Sequence, residues 1–178
     1  GPGEGGGTGR TPARPAPSRL LRRFATNTPC GKPDGPASDV DSDHGYSAAV
    51  VGSGAAGLTA AWQLARKGYT VKVFEKRSQP GGFLRHAIPT YRLPHEVVDA
   101  DIANLTALGV EIECDSKVTD LSELKAQGYE AVVLATGTQL ATSMEVPGED
   151  AEGVVTGLDF LNYVNNDRSP DLTGKCVV

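Results

Sequence analysis

Apolar positions along residues 46–178 change rhythm several times, between short unbroken runs and a helical spacing. Tyr46 to Val51 is a short apolar run that predicts a first strand. A helix is expected next over Ala55 to Lys67, with Leu58, Ala61, Trp62, Leu64 and Ala65 on its apolar face and Gly68 as its stop. Thr70 to Phe74 reads as the second strand. Lys76 to Leu93 carries four Gly and Pro positions, Pro80, Gly81, Gly82 and Pro89, and has no periodicity, so it reads as a long irregular connection, a kind that is often functional. Pro94 suits the first turn of another helix, whose buried face is marked by Val97, Val98, Ile102, Leu105 and Leu108 and whose end is Gly109. Val110 to Cys114 alternates as a strand does. Asp120 to Glu123 has capping-box spacing, and the short helix it opens ends at Gly128. Ala131 to Ala135 is a continuous apolar run, the pattern of a strand buried on both faces of a parallel sheet. Leu158 to Asn165 predicts one more helix, and Lys175 to Val178 begins a strand.

Strands alternating with helices imply an α/β fold, a Rossmann-like, doubly wound parallel sheet. In such sheets ligands bind beyond the carboxyl ends of the strands. The turn after the first strand is Gly52-Ser53-Gly54-Ala55-Ala56-Gly57. Gly52 permits the tight turn, Gly54 lets a pyrophosphate approach the backbone, and Gly57 lets helix and strand pack closely. The helix N-terminus adds free N–H groups and the positive end of its dipole. Glu75 follows Gly57 by 18 residues, directly after the second strand, where a carboxylate can accept from the ribose hydroxyls of an adenosine. Thr136-Gly137 turns the chain sharply at the end of the apolar run that closes with Ala135.

The first 45 residues change the picture. They hold nine Gly, seven Pro and a single aromatic, Phe24. Such a segment buries too little apolar surface to offset the entropy of ordering it and reads as a disordered lead. Residues 1–32 carry six basic groups and one acid, residues 33–45 four Asp and no Lys or Arg. The arginines, with Ser18, are similar to an organellar transit peptide; a plain linker is the other reading, and both stand. The corresponding locations are the mitochondrial matrix or the cytoplasm. No apolar run is long enough for a membrane span. Residues 46–178 hold 11 basic against 17 acidic groups with no basic stripe, which argues against nucleic acid as a partner. Cys30, Cys114 and Cys176 are too far apart for a local metal site, and Cys114 and Cys176 read as small buried residues of strands.

The motifs combine into one resemblance. Gly52 to Gly57, Phe74-Glu75-Lys76, Gly81-Gly82-Phe83-Leu84-Arg85-His86-Ala87-Ile88-Pro89, Tyr91-Arg92-Leu93-Pro94, Ala135-Thr136-Gly137 and Val146-Pro147-Gly148-Glu149-Asp150 resemble the glutamate synthase small-subunit family. That family includes the FAD/NADPH portion of dihydropyrimidine dehydrogenase and related electron-transfer flavoproteins. The resemblance spans residues 46–178. It implies an FAD-binding domain over 46–172 that is incomplete, and at 173–178 the first strand of a truncated NAD(P)H-binding domain. It further implies FAD at the first dinucleotide site, NADPH or NADH at a domain beyond Val178, and an electron-acceptor subunit or iron–sulfur protein as partner. By position, Gly52, Ser53, Gly54, Ala55 and Ala56 would line the pyrophosphate and Glu75, followed by Lys76, would take the ribose. Gly81, Gly82 and Phe83 would pass under the flavin–ribityl region, Arg92 would face a phosphate or the flavin edge, Val118 would meet adenine through its backbone, and Ala135, Thr136 and Gly137 would end the strand against the cofactor. His86-Ala87 stands where the family usually has an aromatic-Gly pair, and His86 reads as a neutral surface or packing residue.

No Ser-His-Asp set, paired metal histidines or catalytic cysteine is visible, and Glu96, Asp99 and Asp101 read as solvated helix positions. The chemistry then belongs to the cofactor, with no catalytic side chain and no metal ligand. Two other readings are a nucleotide-binding module that serves assembly without turnover, and a plain NAD-dependent dehydrogenase without flavin.

Overall fold

The structure is a computed structural model that describes residues 41–166 and 172–174. The expected lead up to residue 40, Cys30, Cys176 and the expected strand at 175–178 lie outside the described residues.

Four strands, β1 (Ser47–Val51), β2 (Thr70–Phe74), β3 (Glu111–Glu113) and β4 (Ala131–Leu134), form one parallel sheet in the order β3-β2-β1-β4. The helices are α1 (Ala55–Arg66), α2 (Phe83–His86), α3 (His95–Ala107), α4 (Leu121–Ala126) and α5 (Gly157–Asn165). The chain runs outward from β1 through β2 to β3, then crosses back to pair β4 with the free side of β1. The direction of winding therefore reverses beside β1, and a crevice opens beyond the carboxyl ends of β1 and β4.

The period of two along β1 sorts its side chains onto two cores. Val50 joins Val71, Val73, Ala61, Ala65, Leu105 and Val110, under α1 and the end of α3. Ala49 and Val51 join Phe74 and Leu124 of α4, with Tyr129 set edge-on against Phe74. Upstream, Asp41 N–H donates to Arg66 O at 2.8 Å and His44 N–H to Gly68 O at 3.2 Å, so the chain is tied to the end of α1 before β1 begins.

Several expectations shift. The apolar run at 131–135 was expected to be buried on both faces, yet β4 lies at an edge and Leu134 is 61% exposed. The cause is topological: among the described residues β4 is hydrogen-bonded to β1 alone. The irregular connection contains α2, one turn of helix. Pro94 is the N-cap of α3, not a residue of its first turn, and Val98 and Leu105 carry its burial while Val97 is exposed. Trp62 is also exposed, with the Arg66 guanidinium 4.8 Å from its ring centre. Asp120 caps α4 by accepting from Ser122 N–H at 2.8 Å, a residue earlier than a capping box requires. Cys114 lies just past β3 and is half-buried.

Candidate dinucleotide-binding site

The three glycines of the turn answer to three different neighbours. Gly52 has φ +103°, and a Cβ there would run into the carbonyl group of Ala135. A Cβ on Gly57 would run into the carbonyl of Gly52, so α1 can lie this close to β1 only without it. Gly54 differs from both. Its φ is −72°, open to any residue, and a Cβ there would meet nothing within 4 Å. Gly54 is the N-cap of α1 and has no side chain to fill the first-turn N–H groups; no acid occupies that turn either. The positive end of the α1 dipole thus faces the crevice uncompensated.

Ser53 and Glu75 lock this turn to the end of β2. Ser53 is fully buried; its N–H donates to Glu75 Oε2 at 3.0 Å and its hydroxyl donates to the same oxygen. Arg77 N–H donates to Glu75 Oε1 at 2.9 Å. Ser53 Oγ also accepts from Gly81 N–H at 3.1 Å, which brings in the third segment. Gly81 and Gly82 have φ +125° and +52°, and a Cβ on Gly82 would lie 2.7 Å from Gly54 Cα. Gly82 lets this loop rest on the Gly54 turn, while Gly81 supplies the positive φ beside Arg85 and Val98. Behind it, buried Arg85 donates to Pro80 O at 2.8 Å and pairs with Asp99, which is exposed on its helix as expected and also anchors the loop.

The crevice has a volume of about 600 Å³ and gathers most of the expected residues. Gly52, Ser53, Gly54, Ala55 and Ala56 form its floor, Glu75, Lys76 and Val118 one end, Gly82 and Phe83 a wall, and Ala135, Thr136 and Gly137 the opposite wall. Gly57 lies beneath the floor, buried, and Gly81 behind the wall. Arg92 is exposed on the turn where its N–H donates to Pro89 O at 2.8 Å, and it does not line the crevice. The structure adds Arg77, Ser116, Lys117 and Gln139. Arg77 and Lys117 follow the ends of β2 and β3, the edge where a parallel sheet presents ligands, and that position was the available signal. Gln139 had none, because the fold alone brings it across to accept from Arg77 Nη2 at 3.4 Å. Lys76, Arg77 and Lys117 face one buried acid, Glu75, so this end of the crevice suits an anion.

Glu75, in the crevice, and His86, outside it, both have shifted pKa values. Burial is the largest influence on Glu75 and raises its pKa; the Ser53 hydroxyl, the Arg77 and Ser53 N–H groups and the Arg77 charge together outweigh it and hold the carboxyl below its ordinary value. A depressed folded pKa contributes stability that is present above the ordinary value of 4.5 and is lost as pH falls through the folded pKa. In urea unfolding at a series of pH values, Glu75→Gln should be less stable than the native chain by about 1–3 kcal/mol at pH 7, and the gap should close in acid. A gap of constant size would show that Glu75 does not carry this dependence. His86, expected at the surface or in packing, is packed and 5% exposed. Burial first, then the Arg77 charge, lowers its pKa, so it is neutral near pH 7.

Comparison with known proteins agrees with this geometry. The family described as NAD(P)-binding Rossmann-like domain matches residues 50–109. The beta subunit of an NADP(+)-dependent formate dehydrogenase of Moorella thermoacetica is 42% identical over 137 residues, 75% of this chain and 19% of that protein. The NAD-dependent dihydropyrimidine dehydrogenase subunit PreT of Salmonella typhimurium is 41% identical over 116 residues, covering 64% and 28%. The small chain of a Mycobacterium tuberculosis NADPH glutamate synthase is 38% identical over 129 residues, covering 71% and 26%. The chain therefore spans between about a fifth and somewhat over a quarter of these relatives. In structure, Mycobacterium tuberculosis FprA, solved with NADPH, has the same fold, with a TM-score of 0.60 at 24% identity over 67% of this chain and 29% of FprA. Among the described residues no helix is long and apolar enough to cross a membrane. With the glycine turn and the Gly81-Gly82 wall on a parallel sheet, the domain is Rossmann-like, and its sequence is similar to parts of a glutamate synthase small chain and of a dihydropyrimidine dehydrogenase subunit.

Proposed function

We propose that the crevice holds FAD and that the parent protein passes electrons from NAD(P)H to an iron–sulfur centre or partner subunit, as a module of the glutamate synthase small-subunit type. The observation that carries this is Gly54: nothing among the described residues needs a glycine there, whereas a phosphate resting on the α1 N-terminus does. The residues present fit the group. The N–H groups at the start of α1 would hold the pyrophosphate, with Lys76, Arg77 and Lys117 supplying positive charge at the adenosine end. Glu75 would meet the ribose with what remains of its accepting capacity, since Ser53 and Arg77 already engage both oxygens. Gly82 and Phe83 would bound the path toward the flavin. When bound, the flavin supplies the hydride and single-electron chemistry.

The relatives' names support the electron-transfer reading. The Moorella relative is a subunit by name, the Salmonella relative likewise, and the glutamate synthase relative is a small chain, which favours a partner subunit here. In this reading residues 46–172 are the FAD-binding part, and the NAD(P)H-binding part follows. The matched family description names NAD(P), which favours a second reading in which that dinucleotide fills this same crevice.

The test is the visible spectrum of the purified full-length protein, with its released cofactor identified by mass. A band near ~450 nm and released FAD are expected. Released NADP(H) without a flavin band, or a full-length protein that stays colourless with added FAD, would overturn the flavin reading.

A further inference from the structure

The Arg77 side chain leaves the end of β2 and finishes beside two other segments. Its Nη2 donates to Gln139 Oε1 at 3.4 Å, in the chain that follows β4, and its Nη1 donates to Asn162 Oδ1 at 3.1 Å, on α5. Gln139 is itself tied back to the end of β4, where its Nε2 donates to Thr136 O at 3.4 Å. Because β1 lies between β2 and β4, these bonds hold the guanidinium over the carboxyl end of β1, in the crevice that Arg77 lines.

Both acceptors are uncharged amides, although acids are near. The Arg77 charge helps to keep Glu75 ionised, and Asp159 lines the narrow space between the crevice and α5. Neither acid forms a salt bridge with the guanidinium. Glu75 is engaged by Ser53 and by the Arg77 N–H, and Asp159 Oδ2 accepts from the Thr156 hydroxyl at 2.7 Å. A guanidinium carries five N–H donors in one plane, so two amide oxygens set that plane and leave donors for a ligand.

Asn162 presents its oxygen to Arg77 because its amide cannot be reversed. Asn162 Oδ1 also accepts from Asn166 Nδ2 at 2.7 Å, and a reversed amide would set its NH₂ group against two donors. The end of α5 that carries these residues is fastened in turn. Asn166 Nδ2 donates to Asn162 O at 2.6 Å, Asn166 Oδ1 lies 3.1 Å from His86 Nδ1, and buried Asn165 donates to Ile88 O at 3.0 Å. None of these three bonds lies in the crevice; what they fix there is the atom against which Arg77 rests.

We infer that Asn162 is a positioning residue for dinucleotide binding: it does not line the crevice, and it acts by holding the Arg77 fork ready for the phosphate oxygens of FAD on the adenosine side. A planar fork of N–H donors matches a phosphate group by its geometry. A free arginine side chain loses rotamer freedom when it grips a ligand, and one already held by amide oxygens loses less. The inference rests on FAD occupying the crevice.

A double-mutant cycle on the apo full-length protein, titrated with FAD, tests this. Arg77→Met alone should raise Kd by about 10- to 100-fold. Asn162→Ala alone should raise it by about five- to tenfold. Added to Arg77→Met, the Asn162 change should alter Kd by less than about twofold, because the group through which it acts is gone. A residue that only fastened α5 would weaken binding by the same factor in both backgrounds. That result, or an Asn162→Ala protein that binds FAD as the native one does, overturns the positioning role and leaves the flavin reading intact. A native protein that binds no FAD overturns the flavin reading, and this inference with it. Circular dichroism of each variant establishes that it is folded, and Asn162→Ser completes the cycle if Asn162→Ala does not fold.

Discussion

Gly52→Ala should cost the domain about 3–5 kcal/mol of unfolding free energy, which sums the strain of an L-residue in a disfavoured region and the penalty of overpacking. Both arise at one atom. At φ +103° the backbone occupies a region that residues with a Cβ rarely enter, and the Cβ would point into the Ala135 carbonyl. That carbonyl cannot step aside, because Ala135 N–H is bonded to Val51 O at 2.8 Å and holds β4 in register with β1. Gly52 N–H is likewise committed to Phe74 O at 2.8 Å, which fixes the turn to β2. Relief of the clash must therefore break β1 away from either β4 or β2. Small domains have about 5–15 kcal/mol to lose, so much of the population should unfold at moderate urea. Urea unfolding followed by circular dichroism measures this, and a midpoint equal to that of the native chain would show that the turn relaxes in a way this geometry does not allow.

Two residues on, the same substitution should do the opposite. Gly54→Ala is expected to leave stability within about 0.5 kcal/mol of the native chain. Alanine restricts the unfolded chain, a small gain, and is a poorer N-cap than glycine, a small loss. The Cβ enters open space. What it should remove is dinucleotide binding, because the methyl group stands where a phosphate must approach the first N–H groups of α1. Loss of one charge-assisted hydrogen bond of about 1.5–3 kcal/mol corresponds to roughly a 10- to 150-fold rise in Kd for FAD. Fluorescence titration of the apo full-length protein with FAD gives the ratio. An unchanged Kd would mean that the pyrophosphate does not rest on this turn, and the assignment of the crevice would fail with it.

The contrast between Gly52 and Gly54 marks where sequence reading stops. The motif, its place between a strand and a helix, and Glu75 at its distance are all local, and local patterns fix the elements. The periodicities placed β1, α1, β2, α3 and α5 within a residue or two of where they lie, because burial on one face dictates spacing in the sequence. The parallel α/β class followed from their alternation. The sequence does not encode which neighbour each glycine answers to, since Ala135 lies more than eighty residues from Gly52 and meets it only when β4 crosses to the far side of β1.

Long-range placement also decided what looked most certain locally. An unbroken apolar run predicted a strand covered on both faces, yet among the described residues β4 is an edge strand with Leu134 exposed, because apolarity reports what a segment can bury and not which elements arrive to cover it. Glu75 stood at the expected position, but its carboxylate is turned inward to Ser53 and the Arg77 N–H, a choice set by three segments meeting at one point. Arg92 belonged to a specific motif and lies outside the crevice, whereas Arg77, in no motif that had been singled out, lines it. Sequence by itself determined the elements, the fold class and the chemistry of the glycine turn. Tertiary structure alone decided which cations share a site, which acid is already satisfied and which glycine faces open space, because those depend on distances between residues that the chain brings together only by folding.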